Sequence, residues 1–158
     1  MKCLVLILFT FFAFTAAETD DNFHRMTMGL ARAFTITQSE AEQCVHKMAA
    51  TMEDLDMLDD LIIDKVDVDK NSIRRATCAL TCCAQKQGTM IGAKLQLPVI
   101  QKLIQNADIP QEVKYHYYTS VNGCANQVKN ITDECEVGFE FVKCLIQSWE
   151  DAERLREN

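Results

Sequence analysis

Apolar residues recur at three- and four-residue intervals along most of the chain, and apolar–polar alternation is nearly absent. This spacing is typical of amphipathic helices rather than of strands. Phe23, Met26, Leu30 and Phe34 form the first series and predict an amphipathic turn or two that leads into the domain. Residues 37–40 then have the Thr-x-x-Glu spacing of a capping box, which predicts a helix from there to about residue 50.

Two more helices are predicted in the middle of the chain. Residues 55–62 make a short amphipathic piece in an acidic setting. A segment without Pro or Gly from about residue 72 to residue 86 predicts the central helix, and Gly88 follows it as a stop signal.

The last part of the chain predicts three further helices. Residues 97–104 form one of them, with Pro98 tolerated in its first turn. Pro110 stands at a first helical position, and one apolar face follows it as far as Val128. Residues 133–150 are apolar on more than one side, which indicates a buried helix. The sequence therefore predicts an all-α domain of six helices.

The N-terminus has the composition of a secretory signal peptide. Lys2 gives a short basic start, residues 4–14 are apolar, and residues 15–17 are small before the acidic Glu18. The apolar run is well short of the roughly 20 residues that span a bilayer, and no later segment is long enough either. We therefore predict a signal peptide at residues 1–17, one domain at residues 18–158, and a secreted, extracellular protein without stable membrane insertion.

Charge and length narrow the class of function. The 158 residues carry a formal net charge of −7, which argues against nucleic acid and against an anionic membrane surface as partners. A domain of this length buries about two-thirds of its unfolded surface, enough for a core and a cavity.

Eight cysteines are the main chemical signal in the chain. Cleavage of the predicted signal peptide removes Cys3, so seven cysteines remain. Seven is an odd number, and the secretory compartment favours disulfides. On a helix, Cys78 and Cys82 are one turn apart and face the same side. Cys135 and Cys144 are about 13 Å apart along a continuous helix, so each must bond a different element. The spacing alone leaves the partners open.

The sequence contains no complete motif for metal binding or catalysis. Residues 67–71 alternate polar ligands as a calcium loop does, but Ser72 replaces the required Gly and Cys78 replaces the bidentate Glu. The three histidines have no ligand spacing, and none is paired with Ser, Cys or Asp in a nucleophile motif. We therefore predict that the protein is not an enzyme and has no catalytic residue, metal or cofactor.

One modification motif is present. Asn130-Ile131-Thr132 is an N-glycosylation sequon between the fifth and sixth predicted helices. A loop at this place would be accessible in the secretory pathway. Asn130 is therefore a candidate glycosylation site.

The spacing of six cysteines resembles that of a known family. The six form the pattern Cys44, Cys78-x3-Cys82, Cys124 and Cys135-x8-Cys144. This pattern resembles that of the insect odorant-binding proteins, the pheromone-binding and general odorant-binding family, over about residues 23–150. Residues 78–82, with Gln87-Gly88 and Met90, are similar to the family's central helix and the turn after it.

The resemblance implies a fold and a disulfide framework. The expected fold is six helices around a closed apolar cavity, and the expected bonds are Cys44–Cys82, Cys78–Cys135 and Cys124–Cys144. Cys83 is outside the pattern, which leaves open whether it or Cys82 bonds Cys44. A buried spare thiol is the favoured interpretation of Cys83 because free cysteine packs like a small apolar group, and an intermolecular bond is the alternative.

The function that the resemblance implies is a carrier, which takes an odorant, a pheromone or a similar lipid-like molecule through aqueous fluid. The residues expected to line its cavity, unless they simply pack a solid core, are Leu103, Tyr117, Val121, Phe139, Val142 and Trp149. Candidate macromolecular partners are an olfactory receptor and a second copy of the chain in a homodimer. A non-olfactory carrier or scavenger of the same fold, or a lipid-active secreted protein, is the alternative.

Overall fold

The computed structural model describes residues 19–64 and 69–157, and within them it has seven α-helices and one short β-hairpin. The elements in chain order are α1 Thr19–Phe34, α2 Gln38–Met48, α3 Met52–Asp64, α4 Lys70–Gln87, β1 Met90–Ile91, β2 Lys94–Leu95, α5 Leu97–Asn106, α6 Gln111–Val128 and α7 Glu134–Glu157. The all-α prediction is confirmed, but the number of helices is seven rather than six. The predicted signal peptide at residues 1–17 lies outside the described residues.

The additional helix is α1, which the sequence pattern underestimated as a turn or two. It has 16 residues, and its buried side chains Met26, Thr27, Leu30 and Ala31 form one face. α1 packs against α2 and α4, and this buried face faces the interior of the unit. Its first turn, residues 19–22, contains no apolar residue, so hydrophobic spacing could not reveal where the helix begins.

The chain divides after Gln87 into two compact units. In the first unit, α2 and α3 both pack against α4. The buried positions of α2 and α4 are mostly small, and Ala41, Cys44, Ala76, Ala79 and Cys83 are fully buried among them. α4 is therefore the central element of the first unit.

Side-chain caps fix where two of these helices begin. Thr37 and Glu40 form the predicted capping box of α2: the Thr37 hydroxyl accepts from the Glu40 backbone N–H, and the Glu40 carboxylate accepts from the Thr37 backbone N–H. Thr51 and Asp54 make the same reciprocal pair at the start of α3. Each cap satisfies backbone donors that have no partner inside the helix.

The described part of the calcium-like segment serves as a helix cap. The Asp69 carboxylate accepts hydrogen bonds from the backbone N–H and from the hydroxyl of Ser72, both at 3.0 Å. These bonds lower the pKa of Asp69 below its usual value, with the backbone bond from Ser72 as the largest cause. Asp69 therefore caps the N-terminus of α4.

The second unit begins with a tight hairpin. Gly88 and Gly92 have positive φ angles of 85° and 55°, a conformation that glycine adopts without the steric cost of a Cβ. The strands pair antiparallel, with Met90 opposite Leu95. After the hairpin, α5 packs on α6 and α6 packs on α7. The predicted position of Pro98 in the first turn of α5 is confirmed.

Candidate functional site

Disulfides tie helices together inside each unit. Cys44 of α2 is bonded to Cys82 of α4, with Cα atoms 5.5 Å apart. Cys124 of α6 is bonded to Cys144 of α7, with Cα atoms 5.7 Å apart. These are two of the pairings that the resemblance implies. Cys78 and Cys135 are also each disulfide-bonded.

Cys83 is a free thiol that is fully buried in α4. The neighbouring Cys82, and not Cys83, is therefore the partner of Cys44. Burial raises the pKa of Cys83 to about 12, so the sulfur stays protonated at neutral pH. A buried, protonated thiol is a poor nucleophile, which fits the interpretation of Cys83 as a small packing residue.

An aromatic cluster joins α6 to α7 in the second unit. The rings of Tyr117 and Trp149 are stacked, with centroids 5.0 Å apart and planes inclined by 26°. His116 meets the same indole edge-on, also at 5.0 Å. Tyr117 and Trp149 are both half-buried, and both are among the residues predicted to line a cavity. The structure thus brings two of the six predicted lining residues into direct contact.

The hydroxyl of Tyr117 is a polar group at the edge of this cluster. Burial raises the pKa of Tyr117 above its usual value, so the phenol remains a neutral donor. Within residues 19–64 and 69–157, no hydrogen-bond partner contacts the Tyr117 hydroxyl. A donor in this setting can bind the oxygen of a mostly apolar molecule.

Sequence reasoning missed a polar link beside the aromatic cluster. The hydroxyls of Ser120 in α6 and Ser148 in α7 are hydrogen-bonded at 2.7 Å, and Ser120 is buried. The signal for this link was available, because Ser120 stands among Tyr117, Val121 and Cys124 on the apolar face of α6. A polar side chain that is buried with an apolar face needs a hydrogen-bond partner.

The other four predicted lining residues differ in environment. Val121 is buried in α6, whereas Phe139 and Val142 of α7 are half-buried. The ammonium group of Lys143 lies 5.6 Å from the centre of the Phe139 ring. Leu103 of α5 is 41% exposed.

The way in which α5 packs on α6 explains why Leu103 is exposed. The helix is held on α6 by polar contacts: Tyr118 donates to the Gln101 carbonyl at 3.1 Å, and Gln101 also hydrogen-bonds Asn122. Lys114 donates to the carbonyl of Gln105 at 2.8 Å. Leu103 lies about 160° around the helix from Gln101, on the side opposite to these contacts.

The first unit carries a different depression, which the sequence did not predict. It is an open groove of about 680 Å³ near the C-terminal ends of α1 and α4, and its lining includes Met28, Ala31, Arg32, Ile36, Glu40 and Lys86. Apolar and charged groups are mixed along this lining. The hydrogen bonds from Thr37 lower the pKa of Glu40, so its carboxylate is ionised there at neutral pH.

Residues 19–64 and 69–157 contain neither a metal-ligand cluster nor a helix that could span a membrane. Among them, no three side chains of His, Cys, Asp or Glu are grouped so that they could hold a metal ion. The helices formed by these residues are each too short or too polar to span a lipid bilayer.

Comparison with protein families agrees with the fold and the disulfides described above. The model of the PBP/GOBP family matches residues 34–148, from the end of α1 to the second half of α7. The chain belongs to this family, the insect odorant- and pheromone-binding proteins. The family consists of proteins that bind small hydrophobic ligands rather than of enzymes. No curated protein and no solved structure matches the chain significantly.

Proposed function

We propose that the chain is a secreted carrier that holds one small hydrophobic molecule in an apolar cavity and carries it through aqueous fluid. Family membership over residues 34–148 supports a binding function. The observation that supports a particular location for the ligand is the stacked pair of Tyr117 and Trp149 in the second unit. Val121, Phe139, Val142 and Leu103 are proposed as further contacts of the ligand.

The chemistry of these side chains suggests the class of ligand. Aromatic and aliphatic groups favour an apolar body, and the Tyr117 hydroxyl adds one donor for an oxygen atom. Burial of roughly 250 Å² of apolar ligand surface at ~25 cal/mol per Å² contributes roughly 6 kcal/mol before the costs of association. An apolar molecule with a single terminal oxygen function, such as a long-chain alcohol, ester or acid, therefore fits the proposal.

Displacement of a bound fluorescent probe tests this function. The protein is freed of lipid and titrated with an apolar dye, and long-chain alcohols, esters and fatty acids are then added as competitors. The proposal expects saturable uptake of the dye and its release by at least one of the three classes. Failure of the delipidated protein to take up the dye would indicate that the six side chains form a solid core.

Two alternatives need separate measurements. A lipid-active secreted protein would hydrolyse ester or phospholipid substrates, whereas the proposed carrier leaves the same substrates unchanged. An olfactory carrier, with an olfactory receptor as its partner, would be expressed in antennae, and a non-olfactory carrier or scavenger would be expressed in a gland or the gut. A homodimer, which the carrier function does not require, would be detected as a doubled mass in solution.

A further inference from the structure

We propose that Asn130 carries an N-linked glycan in the mature protein, and that this glycan projects from the turn between α6 and α7. The inference goes beyond ligand binding but rests on the secretion that forms part of the proposed function. Asn130-Ile131-Thr132 is the single Asn-x-Ser/Thr triplet in the sequence, and neither residue 131 nor residue 133 is proline.

The structure places the triplet where a glycan can be accommodated. Asn130 lies in a turn directly after α6, and the side chains of both Asn130 and Thr132 are exposed. The chain reverses there through a hydrogen bond from the Ile131 backbone N–H to the Val128 carbonyl at 3.0 Å. Asp133 then caps α7 by accepting from the Glu136 backbone N–H at 3.0 Å. The sequon thus occupies a short connection that starts and ends at fixed helix termini.

The modification is a group transfer from a lipid-linked oligosaccharide diphosphate in the secretory compartment. The side-chain amide nitrogen of Asn130 forms the bond to C1 of the first sugar and loses one proton. The bond between C1 and the diphosphate oxygen breaks, and the lipid diphosphate is the leaving group. The Thr132 hydroxyl is the group of the sequon that the transferase must recognise, so glycosylation depends on both side chains.

The glycan and the proposed ligand site are separated along α6. Tyr117 lies 13 positions before Asn130, about 20 Å along a helix. The Cys124–Cys144 bond fixes α6 to α7 between these two positions. Enzymatic removal of the glycan is therefore expected to leave probe affinity unchanged.

Expression in a eukaryotic secretory cell tests the site. The full chain is produced with its own N-terminus and, in parallel, behind an added secretion signal, so that one form enters the pathway whatever residues 1–17 do. The secreted protein should lose the mass of one oligosaccharide on treatment with a peptide N-glycosidase, with Asn130 converted to Asp. Asn130→Gln and Thr132→Ala should abolish the glycan, whereas Thr132→Ser should retain it.

Asn126→Gln is the matched control, because Asn126 is exposed on α6 four residues earlier but is outside any sequon. This variant should keep the glycan. A form secreted behind the added signal with unmodified Asn130 would overturn the inference. If that form is glycosylated while the natural N-terminus does not direct export, Asn130 is an accessible acceptor, but the proposed secretion fails and with it the glycan on the natural protein.

Discussion

Tyr117 of α6 stacks on Trp149 of α7, with ring centroids 5.0 Å apart, while Tyr115, two residues earlier on the same helix, is 74% exposed. The two tyrosines therefore form a matched pair: one contributes to the proposed ligand site and the other does not. Trp149 is the single tryptophan of the chain, so its fluorescence reports on this site without any label.

Tyr117→Ala is predicted to weaken binding of the apolar probe about tenfold, the equivalent of ~1.4 kcal/mol. The loss follows from removal of an aromatic surface that the ligand would contact. Tyr115→Ala should leave the dissociation constant unchanged, and Tyr117→Phe should weaken only competitors that carry an oxygen. Equal losses in Tyr115→Ala and Tyr117→Ala, or no loss in either, would place the ligand elsewhere.

A second prediction concerns an ion pair of the first unit, between the buried carboxylate of Asp54 and the partly exposed guanidinium of Arg75. Arg75 of α4 donates to the Asp54 carboxylate of α3 through Nε at 2.9 Å and Nη2 at 2.6 Å. Burial alone would raise the pKa of Asp54, but the hydrogen bonds from Arg75, Thr51 and Ser72 outweigh it and lower the pKa from 3.8 to about 2. The ionised carboxylate therefore stabilises the folded state.

The lowered pKa of Asp54 makes the folded state less stable as the pH falls. A carboxyl whose pKa is lower in the folded state contributes stability above its unfolded pKa and loses it as the pH falls through the folded pKa. We predict that the free energy of unfolding decreases by about 2 kcal/mol between about pH 4 and about pH 2 on account of Asp54. Chemical denaturation at a series of pH values measures it.

Asp54→Asn should flatten this part of the pH profile and destabilise the protein at neutral pH by roughly 2 kcal/mol, because the amide cannot replace the charge-assisted hydrogen bonds from Arg75. Glu53→Gln is the control, since Glu53 is the exposed neighbouring acid on α3. A profile of Asp54→Asn that still falls as steeply as the wild-type profile would show that other carboxyls cause the acid sensitivity.

A third prediction concerns the cysteines. Peptide mapping without reduction should recover Cys44–Cys82, Cys124–Cys144 and, as the resemblance implies, Cys78–Cys135. Cys83 should react with an alkylating agent only after unfolding, because it is buried with a raised pKa. Alkylation of Cys83 in the native protein, or recovery of Cys83 in a cross-linked peptide, would contradict this assignment.

The loop closed by Cys124 and Cys144 spans 20 residues. In the chain-entropy model a loop of this size contributes about 3 kcal/mol to stability. The double substitution Cys124→Ser, Cys144→Ser should therefore lower the free energy of unfolding by about that amount. Cys83→Ala, which removes one buried sulfur but no cross-link, should cost ~1 kcal/mol.

A fourth prediction tests the capping box of α2. Thr37→Ala should destabilise the protein by about 1 kcal/mol, since the Glu40 backbone N–H loses its side-chain acceptor. Ser39→Ala is the matched control because Ser39 is exposed in the first turn but outside the box. Equal unfolding free energies for the two variants would show that the box contributes nothing to stability.

The sequence predicted the helices most accurately where local chemistry marks their ends. Thr37 with Glu40, Pro98 and Gly88 are short-range signals, and the structure has a helix end at each of them. The start of α1 and the cap formed by Thr51 and Asp54 were missed. The first has no apolar residue to mark it, and the second uses Asp where the usual capping box has Glu or Gln.

The candidate site was predictable only in part, because spacing along a helix gives the face of a residue but not its neighbour. Tyr117 and Trp149 were both assigned to apolar faces, yet their stacking depends on how α6 and α7 pack. Leu103 shows the opposite case. Its spacing marked an apolar face of α5, but polar contacts through Gln101 and Gln105 attach the other side of that helix to α6.

The heat capacity change of probe binding tests the central proposal most directly. Burial of apolar surface in a cavity gives a negative heat capacity change, which is the robust marker of such binding. Calorimetric titration of the delipidated protein with the apolar probe at several temperatures should give one probe per chain and an enthalpy that becomes more negative on warming. No saturable heat at any temperature, or an enthalpy independent of temperature, would contradict the proposal that this chain encloses a hydrophobic ligand.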